Sequence, residues 1–304
     1  MVKDLSVIIV NWNTGALLRD CVESVYSETT RHSLEVIVVD NASSDDSVSL
    51  VEAEFKAVVV IKNSKNFGFA KGNNIGVEAA EGKYVILLNP DTKVLDGGLD
   101  KICDFLETAE KDVGAAGPVL LNKDGSFQRE QGWRFPGLGT AFAQYFFLSR
   151  IFGLPGIFMN RKLKKASDVD WLCGACFASP RKIYKEMGGL DEKYFLYAED
   201  MDFCYRLKEK GYRSVFYPGA IIMHISKQST SKQGEEVSKY QIEGLKDFFR
   251  TRNPAWKYKV FKDILFGGLT ARFFVLSVKG LFKGSPELRK KIRSMRILLK
   301  YVYV

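Results

Sequence analysis

Residues 5–14 read LSVIIVNWNT, an apolar run that ends abruptly in a polar segment. A run of this length, rich in β-branched residues, is typical of a strand buried on both faces of a sheet. The run LEVIVV at 34–39 has the same character and is followed by DNAS. The two stretches therefore predict two buried strands, each ending in a polar loop.

The rest of the first hundred residues alternates between strand and helix signals. Two further apolar runs, AVVVI at 57–61 and KYVILL at 83–88, predict strands. Helical patterns are found at 16–28, 44–55, 69–80 and 99–109. Alternation of this kind predicts an α/β fold, with a mixed, mainly parallel central sheet and helices on both faces.

Beyond residue 110 the pattern is less regular. Strands are predicted at 113–119, 171–178, 214–217 and 220–224, and helices at 181–187 and 199–210. The polar stretch SKQSTSKQGEE, at 226–236, predicts a mobile loop.

The composition is that of a folded protein, and its charge is unevenly distributed. Of 304 residues, 46% are hydrophobic and 27% charged, which excludes a disordered or purely fibrous chain. The net charge is +9. Residues 246–304 contain 15 Lys and Arg against 3 Asp and Glu, a net of +12, so the remainder has a net charge of −3. This asymmetry predicts a division of function between an acidic body and a basic tail.

The cysteines and the absence of long apolar runs bear on location. Five cysteines, an odd number in a long chain, form no dense disulfide framework and favour a reducing compartment. The segment nearest to a membrane span, 264–282, is interrupted by Arg272 and Lys279, so we expect no conventional span. The first strand follows almost directly on the first residues, and we expect no signal peptide.

In open α/β sheets, ligands bind at the carboxyl ends of the strands. Here those ends carry short polar side chains, in NWNT at 11–14, DNAS at 40–43, KN at 62–63 and NPDT at 89–92. Each segment by itself could be an ordinary turn or helix cap. Four of them on one predicted edge favour a binding site.

Further residues have the chemistry of a catalytic site. Asp91 follows a buried strand, where it is either a turn residue or a ligand for a cation that holds a diphosphate. His224 ends a hydrophobic strand and is either structural or a metal ligand. Glu199, Asp200 and Asp202 open a helix, where the helix dipole partly explains them. Repulsion between adjacent carboxylates can also raise a pKa and produce a general base.

Six segments form a set that is far more specific than any one of them. They are VIIVNWNT at 7–14, VIVVDNASSDDS at 36–47, NFGFAKGNNIG at 66–76, LLNPDT at 87–92, the run from WLCGACFASP to EKGYR at 171–213, and the histidine at 224. In this order they resemble family 2 glycosyltransferases, the inverting enzymes of the GT-A (Rossmann-like) fold, and in particular the rhamnosyltransferase-like subgroup. The resemblance covers roughly residues 5–225.

The resemblance implies a substrate and a role for each matching residue. The donor would be a nucleotide diphosphate sugar, dTDP-rhamnose or a UDP-sugar, and the acceptor a hydroxyl of a lipid-linked or polysaccharide glycan. Asp40 would accept a hydrogen bond from the pyrimidine N3–H, which uracil and thymine both carry. The other residues implied to bind the nucleotide sugar are Asn11, Asn13, Asn41, Asn66, Lys71, Asn74 and Asn89.

The resemblance also implies a metal site and a base. Asn89 stands at the first position of the family's D-x-D motif, which makes Asp91 and His224 the better ligands for Mg²⁺ or Mn²⁺. Asp200 corresponds to the catalytic base of a single, inverting displacement, with Glu199 in support. The residues implied to face the acceptor and the sugar are Trp171, Cys173, Gly174 and Asp202.

The C-x-x-C formed by Cys173 and Cys176 has no second pair. It is weak evidence for zinc or redox chemistry, and we expect small buried side chains that pack near the sugar pocket.

The basic tail, residues 246–304, carries eleven aromatic residues among its cations. Basic-aromatic helices suit an anionic membrane surface, and a peripheral position on the inner face of the cytoplasmic membrane is expected. The same residues could instead form helices that pack on the catalytic domain with a solvated basic face. Nucleic acid is not expected as a partner, because no nucleic-acid motif accompanies the charge.

The predicted organisation is a GT-A catalytic domain over 1–235 and a helical segment over 236–304. Within the domain, the nucleotide-binding half covers about 1–110 and the acceptor-binding half about 111–235. An alternative from another class is a catalytically inactive nucleotide-sugar-binding or membrane-associated scaffold. The presence of Asp91, Asp200 and His224 favours the enzyme.

Overall fold

The computed structural model describes residues 3–129, 131–159, 162–225, 234–282 and 285–304. Its strands are β1 (Leu5–Asn11), β2 (Leu34–Asp40), β3 (Val59–Lys62), β4 (Tyr84–Leu88), β5 (Thr92–Leu95), β6 (Val113–Leu121), β7 (Ser167–Val169), β8 (Cys176–Pro180) and β9 (Arg213–His224). Its helices are α1 (Ala16–Glu28), α2 (Ser47–Glu54), α3 (Phe69–Ala79), α4 (Gly98–Thr108), α5 (Leu138–Tyr145), α6 (Leu148–Ile151), α7 (Arg181–Glu186), α8 (Glu199–Glu209), α9 (Gly234–Arg250), α10 (Ala255–Phe282) and α11 (Pro286–Val302).

The strands form one mixed sheet in the order β3-β2-β1-β4-β8-β6-β9-β5, with β7 paired to β9. Strands β1 to β4 pair in parallel, as do β6 and β9, whereas β8, β5 and β7 run antiparallel to their neighbours. The parallel register places Asn11 opposite Asp40, so the polar ends of β1 and β2 meet at one edge. The predicted α/β class with a mixed central sheet is confirmed.

The core explains why the strands of the first hundred residues are apolar without alternation. Strands β1 and β4 are buried along their whole length, so both of their faces must carry apolar side chains. Helix α1 buries Leu18, Cys21, Val22 and Val25, the i, i+3, i+4, i+7 stripe of a helix with one face toward a core. Each fully buried large aliphatic side chain contributes about 1.5–3 kcal/mol relative to its exposed state.

Some predicted elements differ from those observed. The strand expected at 171–178 begins only at Cys176, because residues 171–173 are irregular and residues 174–175 form a turn. The two short strands expected at 214–217 and 220–224 are one strand, β9, whose register against β6 shifts around Pro218. Proline cannot donate to a ladder, and a bulge accommodates it. Of the predicted loop at 226–236, residues 226–233 lie outside the described residues.

The chain divides into two compact units. The first contains strands β1–β9 with helices α1–α4, α7 and α8, and the second contains α5, α6 and α9–α11 together with residues 196–198. In the second unit the rings of Phe249 and Phe261 stack with their centroids 4.0 Å apart, which joins α9 to α10. The C-terminal helical segment of the prediction is confirmed. Among the described residues, no helix has both the length and the apolar character to cross a membrane.

Candidate active site

The ends of β1 and β2 are joined by a buried polar cluster around Asp40. The Asn11 side-chain amide donates to the Asp40 carboxylate at 2.8 Å and to Ser47 Oγ at 2.8 Å. Ser43 donates to the same carboxylate from its backbone N–H at 3.0 Å and from its hydroxyl at 2.5 Å. A carboxylate can accept about four hydrogen bonds, and Asp40 receives three from these residues, so its orientation is set while one position remains for a ligand.

Asparagines extend this cluster to the neighbouring strand ends. The Asn63 amide donates to Asn41 Oδ1 at 2.9 Å, and the Asn41 amide donates to the backbone of Gly68 at 3.0 Å. Asn13 has a positive φ of 53°, and its Oδ1 accepts the Ser44 backbone N–H at 2.8 Å. The structure therefore brings Asn11, Asn13, Asp40 and Asn41 to one edge of the sheet, as the strand-end argument predicted.

The segment before α3 is set by a close backbone approach. Gly68 has a φ of +85°, and a Cβ there would lie 2.4 Å from the carbonyl oxygen of Phe195, so only glycine fits. Asn66 Oδ1 accepts the Gly68 N–H at 2.9 Å and closes this turn. Lys71 Nζ lies 3.2 Å from Glu192 Oε2 on the surface.

Asn74 connects α3 to the chain that follows α7. Its Oδ1 accepts the Tyr184 hydroxyl at 2.8 Å and the Leu190 N–H at 2.9 Å. Its Nδ2 donates to Leu190 O at 2.9 Å and to Glu192 Oε1 at 3.2 Å. These bonds give Asn74 a structural role. The binding of a nucleotide sugar by Asn66, Lys71 and Asn74 stays a prediction.

Asp91 and His224 meet because β5 and β9 are antiparallel, with Thr92 opposite His224. Asp91 Oδ1 lies 3.3 Å from His224 Nε2, and both side chains are largely buried. The Asn89 amide nitrogen lies 3.3 Å from the same Nε2. One carboxylate oxygen and one imidazole nitrogen that converge in this way suit a divalent cation which takes its remaining ligands from phosphate and water.

The start of α8 carries the two carboxyl groups with the most unusual environment. Asp200 Oδ2 accepts the Gly174 N–H at 2.8 Å, and its Oδ1 accepts the Met201 N–H at 2.7 Å. Burial raises the pKa of Asp200 to about 6, against the lowering effect of these hydrogen bonds. Burial, and then the charge of Asp200, raise the pKa of Glu199 well above its ordinary value. Within the described chain, Glu199 Oε2 has no hydrogen-bond partner.

These two groups are therefore suited to different tasks. Near neutral pH the Asp200 side chain is a carboxylate of moderate basicity, whereas burial and the charge of Asp200 favour the protonated form of Glu199. Two residues in succession before them, Tyr197 and Ala198, have positive φ values of 71° and 74°, which is rare for residues other than glycine. Backbone of this kind is concentrated at functional sites.

The segment 171–175 places small groups beside Asp200. A Cβ on Gly174 would lie 3.4 Å from Asp200 Oδ2 and 3.2 Å from the ring of Phe69, so a larger residue would crowd both. Trp171 is buried, Cys173 is partly buried, and both Cys173 and Cys176 are free thiols. The expectation of small side chains here agrees with this geometry.

Asp202 lies two residues beyond Asp200 on α8 and has a structural partner. Its Oδ2 accepts from Arg206 Nε at 2.8 Å, an i, i+4 pair along the helix. Arg206 also donates to the backbone of Met187 at 2.6 Å and of Gly189 at 2.7 Å. The role of Asp202 in an acceptor pocket stays a prediction.

Several residues of the site were not selected from the sequence. Ser43 and Ser47 lie inside the quoted segment VIVVDNASSDDS, where their hydroxyls were a usable signal. Phe69 follows the turn that Asn66 closes. In the sequence it has no feature that distinguishes it from an aromatic residue of the core. Gln128, whose Oε1 lies 3.1 Å from His224 Nδ1, belongs to an irregular stretch with no pattern that would have indicated it.

A protein-family model covers most of the residues that form this site. The model described as Glycosyl transferase family 2 covers residues 6–188, which include β1–β4, Asp40, Asp91 and Gly174. The chain belongs to this family. It is a glycosyltransferase, and the family predicted from the motifs is confirmed. The match ends before Asp200 and His224, so their roles depend on the motif order and on the geometry.

Two relatives extend the comparison beyond the family model. An N-acetylglucosaminyl-diphospho-decaprenol L-rhamnosyltransferase of Mycobacterium tuberculosis is 26% identical over 286 residues, which cover 90% of this chain and 92% of that protein. The low-salt glycan biosynthesis hexosyltransferase Agl10 of Haloferax volcanii is 26% identical, over 69% of this chain and 63% of that protein. This family 2 glycosyltransferase is therefore similar to rhamnosyltransferases along almost its whole length.

Solved structures support the GT-A fold. The mannosyltransferase PcManGT of Pyrobaculum calidifontis, solved with GDP-Man and Mn²⁺, aligns with a TM-score of 0.61 at 16% identity over 100% of this chain and 87% of that chain. GalNAc-T7, solved with UDP, GalNAc and Mn²⁺, aligns with a TM-score of 0.55 at 19% identity, over 73% of this chain and 44% of that chain. At these identities the likeness shows the fold alone.

Proposed function

We propose that this family 2 glycosyltransferase transfers a sugar, with inversion, from a pyrimidine nucleotide diphosphate sugar to a hydroxyl of a lipid-linked glycan. The donor would be dTDP-rhamnose or a UDP-sugar. The observation that carries the proposal is the environment of Asp200, a carboxylate with a pKa raised to about 6 beside a small-residue turn. The similarity to an enzyme named for a diphospho-decaprenol acceptor supports the acceptor class.

Asp200 would act as general base in a single displacement. It takes the proton of the acceptor hydroxyl while that oxygen forms a bond to the anomeric carbon from the face opposite the diphosphate. The bond from this carbon to the diphosphate oxygen breaks, and its electron pair leaves with the nucleoside diphosphate. A pKa near 6 keeps the base ionised at neutral pH while it retains basicity, and such a base contributes about 10²- to 10⁴-fold in rate.

The nucleoside diphosphate leaves with a negative charge that must be neutralised. Asp91 and His224 would hold a divalent cation, Mg²⁺ or Mn²⁺, which when bound neutralises the diphosphate. The convergence of Asp91 Oδ1 and His224 Nε2 at 3.3 Å supports this assignment.

Asp40 would select the base of the nucleotide. Its carboxylate, held by Asn11 and Ser43, would accept the N3–H of uracil or thymine at its remaining position. Cytosine and adenine have an acceptor nitrogen in place of this N–H, so a uridine or thymidine nucleotide is expected over these two.

Ligand-dependent stabilisation tests the donor. The unfolding temperature is measured with dTDP-rhamnose, UDP-sugars and GDP-mannose, each with and without Mn²⁺. A pyrimidine donor at 100 times its Kd should stabilise the folded protein by about 2.7 kcal/mol, and more weakly without the metal. Stabilisation by GDP-mannose alone would contradict the role of Asp40.

The anomeric configuration of the product tests the mechanism. The preferred donor is incubated with an N-acetylglucosaminyl-diphospho-polyprenol acceptor, and the new linkage is assigned by NMR coupling constants. Inversion is expected, because one displacement exchanges the two faces of the anomeric carbon. A retained configuration would refute the single displacement.

We further propose that α10 and α11 associate with an anionic membrane surface. Arg289, Arg293, Arg296 and Lys300 are all exposed and lie at i, i+4, i+7 and i+11, which is a single face of α11. Helix α10 exposes Trp256 and Phe274, with 61% and 68% of their surface accessible. A cationic helix face and exposed aromatic residues match anionic headgroups and their interface with the acyl chains.

Liposome cosedimentation tests this surface. Replacing Arg289, Arg293 and Arg296 by Gln should weaken binding to phosphatidylglycerol vesicles, because each surface cation contributes about 1 kcal/mol. The control replaces the exposed Lys111, Lys123 and Lys210 of the first unit, which changes the net charge equally. Equal binding by both triple variants would refute a role for the α11 face.

A further inference from the structure

Gln128 is a buried glutamine held against the strand that neighbours β9. Its backbone N–H donates to Leu120 O at 3.0 Å, and its backbone carbonyl accepts from Gln131 Nε2 at 2.5 Å. Gln131 in turn accepts the Leu120 N–H at 3.0 Å. With only 4% of its surface accessible, Gln128 has a fixed backbone, and its side chain points to His224.

The contact between Gln128 and His224 determines which ring nitrogen carries the hydrogen. Gln128 Oε1 lies 3.1 Å from His224 Nδ1, and an amide oxygen only accepts, so Nδ1 must be the donor. On the other side of the ring, the Asn89 amide nitrogen lies 3.3 Å from Nε2 and only donates. The Gln128 and Asn89 contacts therefore both favour hydrogen on Nδ1 and a lone pair on Nε2. Asp91 Oδ1, 3.3 Å from Nε2, only accepts and favours a proton on Nε2 in the metal-free ring, so Gln128 acts against this contact.

We propose that Gln128 is a positioning residue that fixes the tautomer and the orientation of the His224 ring. Nε2 and Asp91 Oδ1, 3.3 Å apart, would then both present lone pairs, an arrangement that a divalent cation shared by the two would stabilise. The inference rests on the proposed metal role of His224 and adds a residue that the sequence did not indicate. Partners of metal-bound histidines that act in this way typically change metal affinity by about 10- to 100-fold.

Histidine nitrogen NMR tests the tautomer without any metal. The chain has only two histidines, so a His32→Gln variant leaves His224 as the single signal. At a pH where the ring is neutral, the ¹⁵N shifts should show hydrogen on Nδ1. In Gln128→Leu, which removes the acceptor at similar volume, the signal should move toward the other tautomer. A His224 ring with its hydrogen on Nε2 in the otherwise wild-type protein would overturn the proposal.

Calorimetric titration with Mn²⁺ alone tests the consequence. Gln128→Leu should bind Mn²⁺ about 10- to 100-fold more weakly, and Gln128→Glu, which keeps an acceptor, should restore most of the affinity. Gln131→Leu is the matched control, because this buried glutamine supports the same backbone through bonds from its side chain to the backbone of Leu120 and Gln128. Equal losses in the Gln128→Leu and Gln131→Leu variants would indicate a structural effect and overturn the proposal.

A His224→Gln variant separates this proposal from the proposed metal site. If that variant binds Mn²⁺ as tightly as the wild type, His224 is not a ligand and the metal assignment fails. The NMR result on the metal-free protein still decides whether Gln128 sets the tautomer. If Gln128→Leu does not fold, the wild-type tautomer and the Gln128→Glu titration test the proposal.

Discussion

Asp40 and Asp200 are two carboxylates of the same unit in opposite situations. Asp40 accepts hydrogen bonds from Asn11 and Ser43, two of them from side chains that nearby polar residues hold in turn. Asp200 accepts from backbone N–H groups, those of Gly174 and Met201 among them, and its neighbour Glu199 has an oxygen with no partner among the described residues. The first carboxylate is oriented by side-chain donors, whereas burial raises the pKa of the second.

Two chemically identical groups in one fold are thus suited to separate tasks because their surroundings differ. A carboxylate surrounded by donors recognises a donor on a ligand, because its charge and orientation are already set. A carboxylate with few donors and a buried neighbour has a raised pKa and can exchange a proton during the reaction. The comparison can be tested by exchanging or removing the features that distinguish the two sites.

The largest effect is expected from Asp200→Asn, which keeps the shape of the side chain and removes the base. The turnover number should fall by about 10³-fold, within the range for the loss of a general base. Donor binding, measured by calorimetry, should be retained.

Glu209→Gln, at the exposed far end of the same helix, provides the control. It removes one carboxylate from α8 and should leave kcat nearly unchanged. Near-normal turnover of Asp200→Asn would refute the assignment of the base.

The second effect concerns Asp40→Asn, which replaces the carboxylate by a group with one acceptor and one donor side. Donor affinity should fall by about 10- to 100-fold, the value of a hydrogen bond to a charged group. The turnover number measured at saturating donor should change much less than the affinity. Asp46→Asn, an exposed residue nearby, is the control.

An N3-methylated donor sharpens the same test. It lacks the N–H that Asp40 would accept, so it should bind the wild type more weakly and lose little further affinity in Asp40→Asn. Additive losses would show that Asp40 contacts another part of the donor.

The third effect is a pH profile. Asp200 must be ionised to act, so the rate should be present above its pKa of about 6 and fall as the pH drops through that value. The loss should approach tenfold per pH unit. Glu199→Gln should leave this limb nearly in place, because burial is the main cause of the raised pKa of Asp200. A large displacement of the limb would show that the two groups share one proton.

The smallest effect is on stability. The folded-state pKa of Glu199 is raised, so its contribution to stability is present below the unfolded pKa and is lost as the pH rises through the folded value. Glu199→Gln should therefore unfold like the wild type near pH 4 and become more stable than the wild type as the pH is raised to 8. Chemical denaturation at both pH values measures this. Glu209→Gln, exposed at the other end of α8, should show no such dependence on pH.

Much of this fold could be predicted from local sequence patterns. The apolar runs of β1, β2 and β4 need no partner to be recognised, because a strand buried on both faces has to be apolar at every position. The polar residues that follow them could be placed at one edge for a similar reason, since parallel strands end together. The motif order then led to the family and to the residues Asp40, Asp91, Asp200 and His224.

The alternating α/β architecture, the polar edge of the sheet and the candidate residues of the site could thus be predicted from the sequence. The surroundings of each candidate residue depend on the tertiary structure. The contact of Asp91 with His224 depends on the antiparallel pairing of β5 with β9, two strands far apart in the chain. The raised pKa of Asp200 and the orientation of His224 by Gln128 depend on burial and on hydrogen bonds across long sequence separations. Local patterns carry no information about these, because a residue's protonation is set by the groups around it in space.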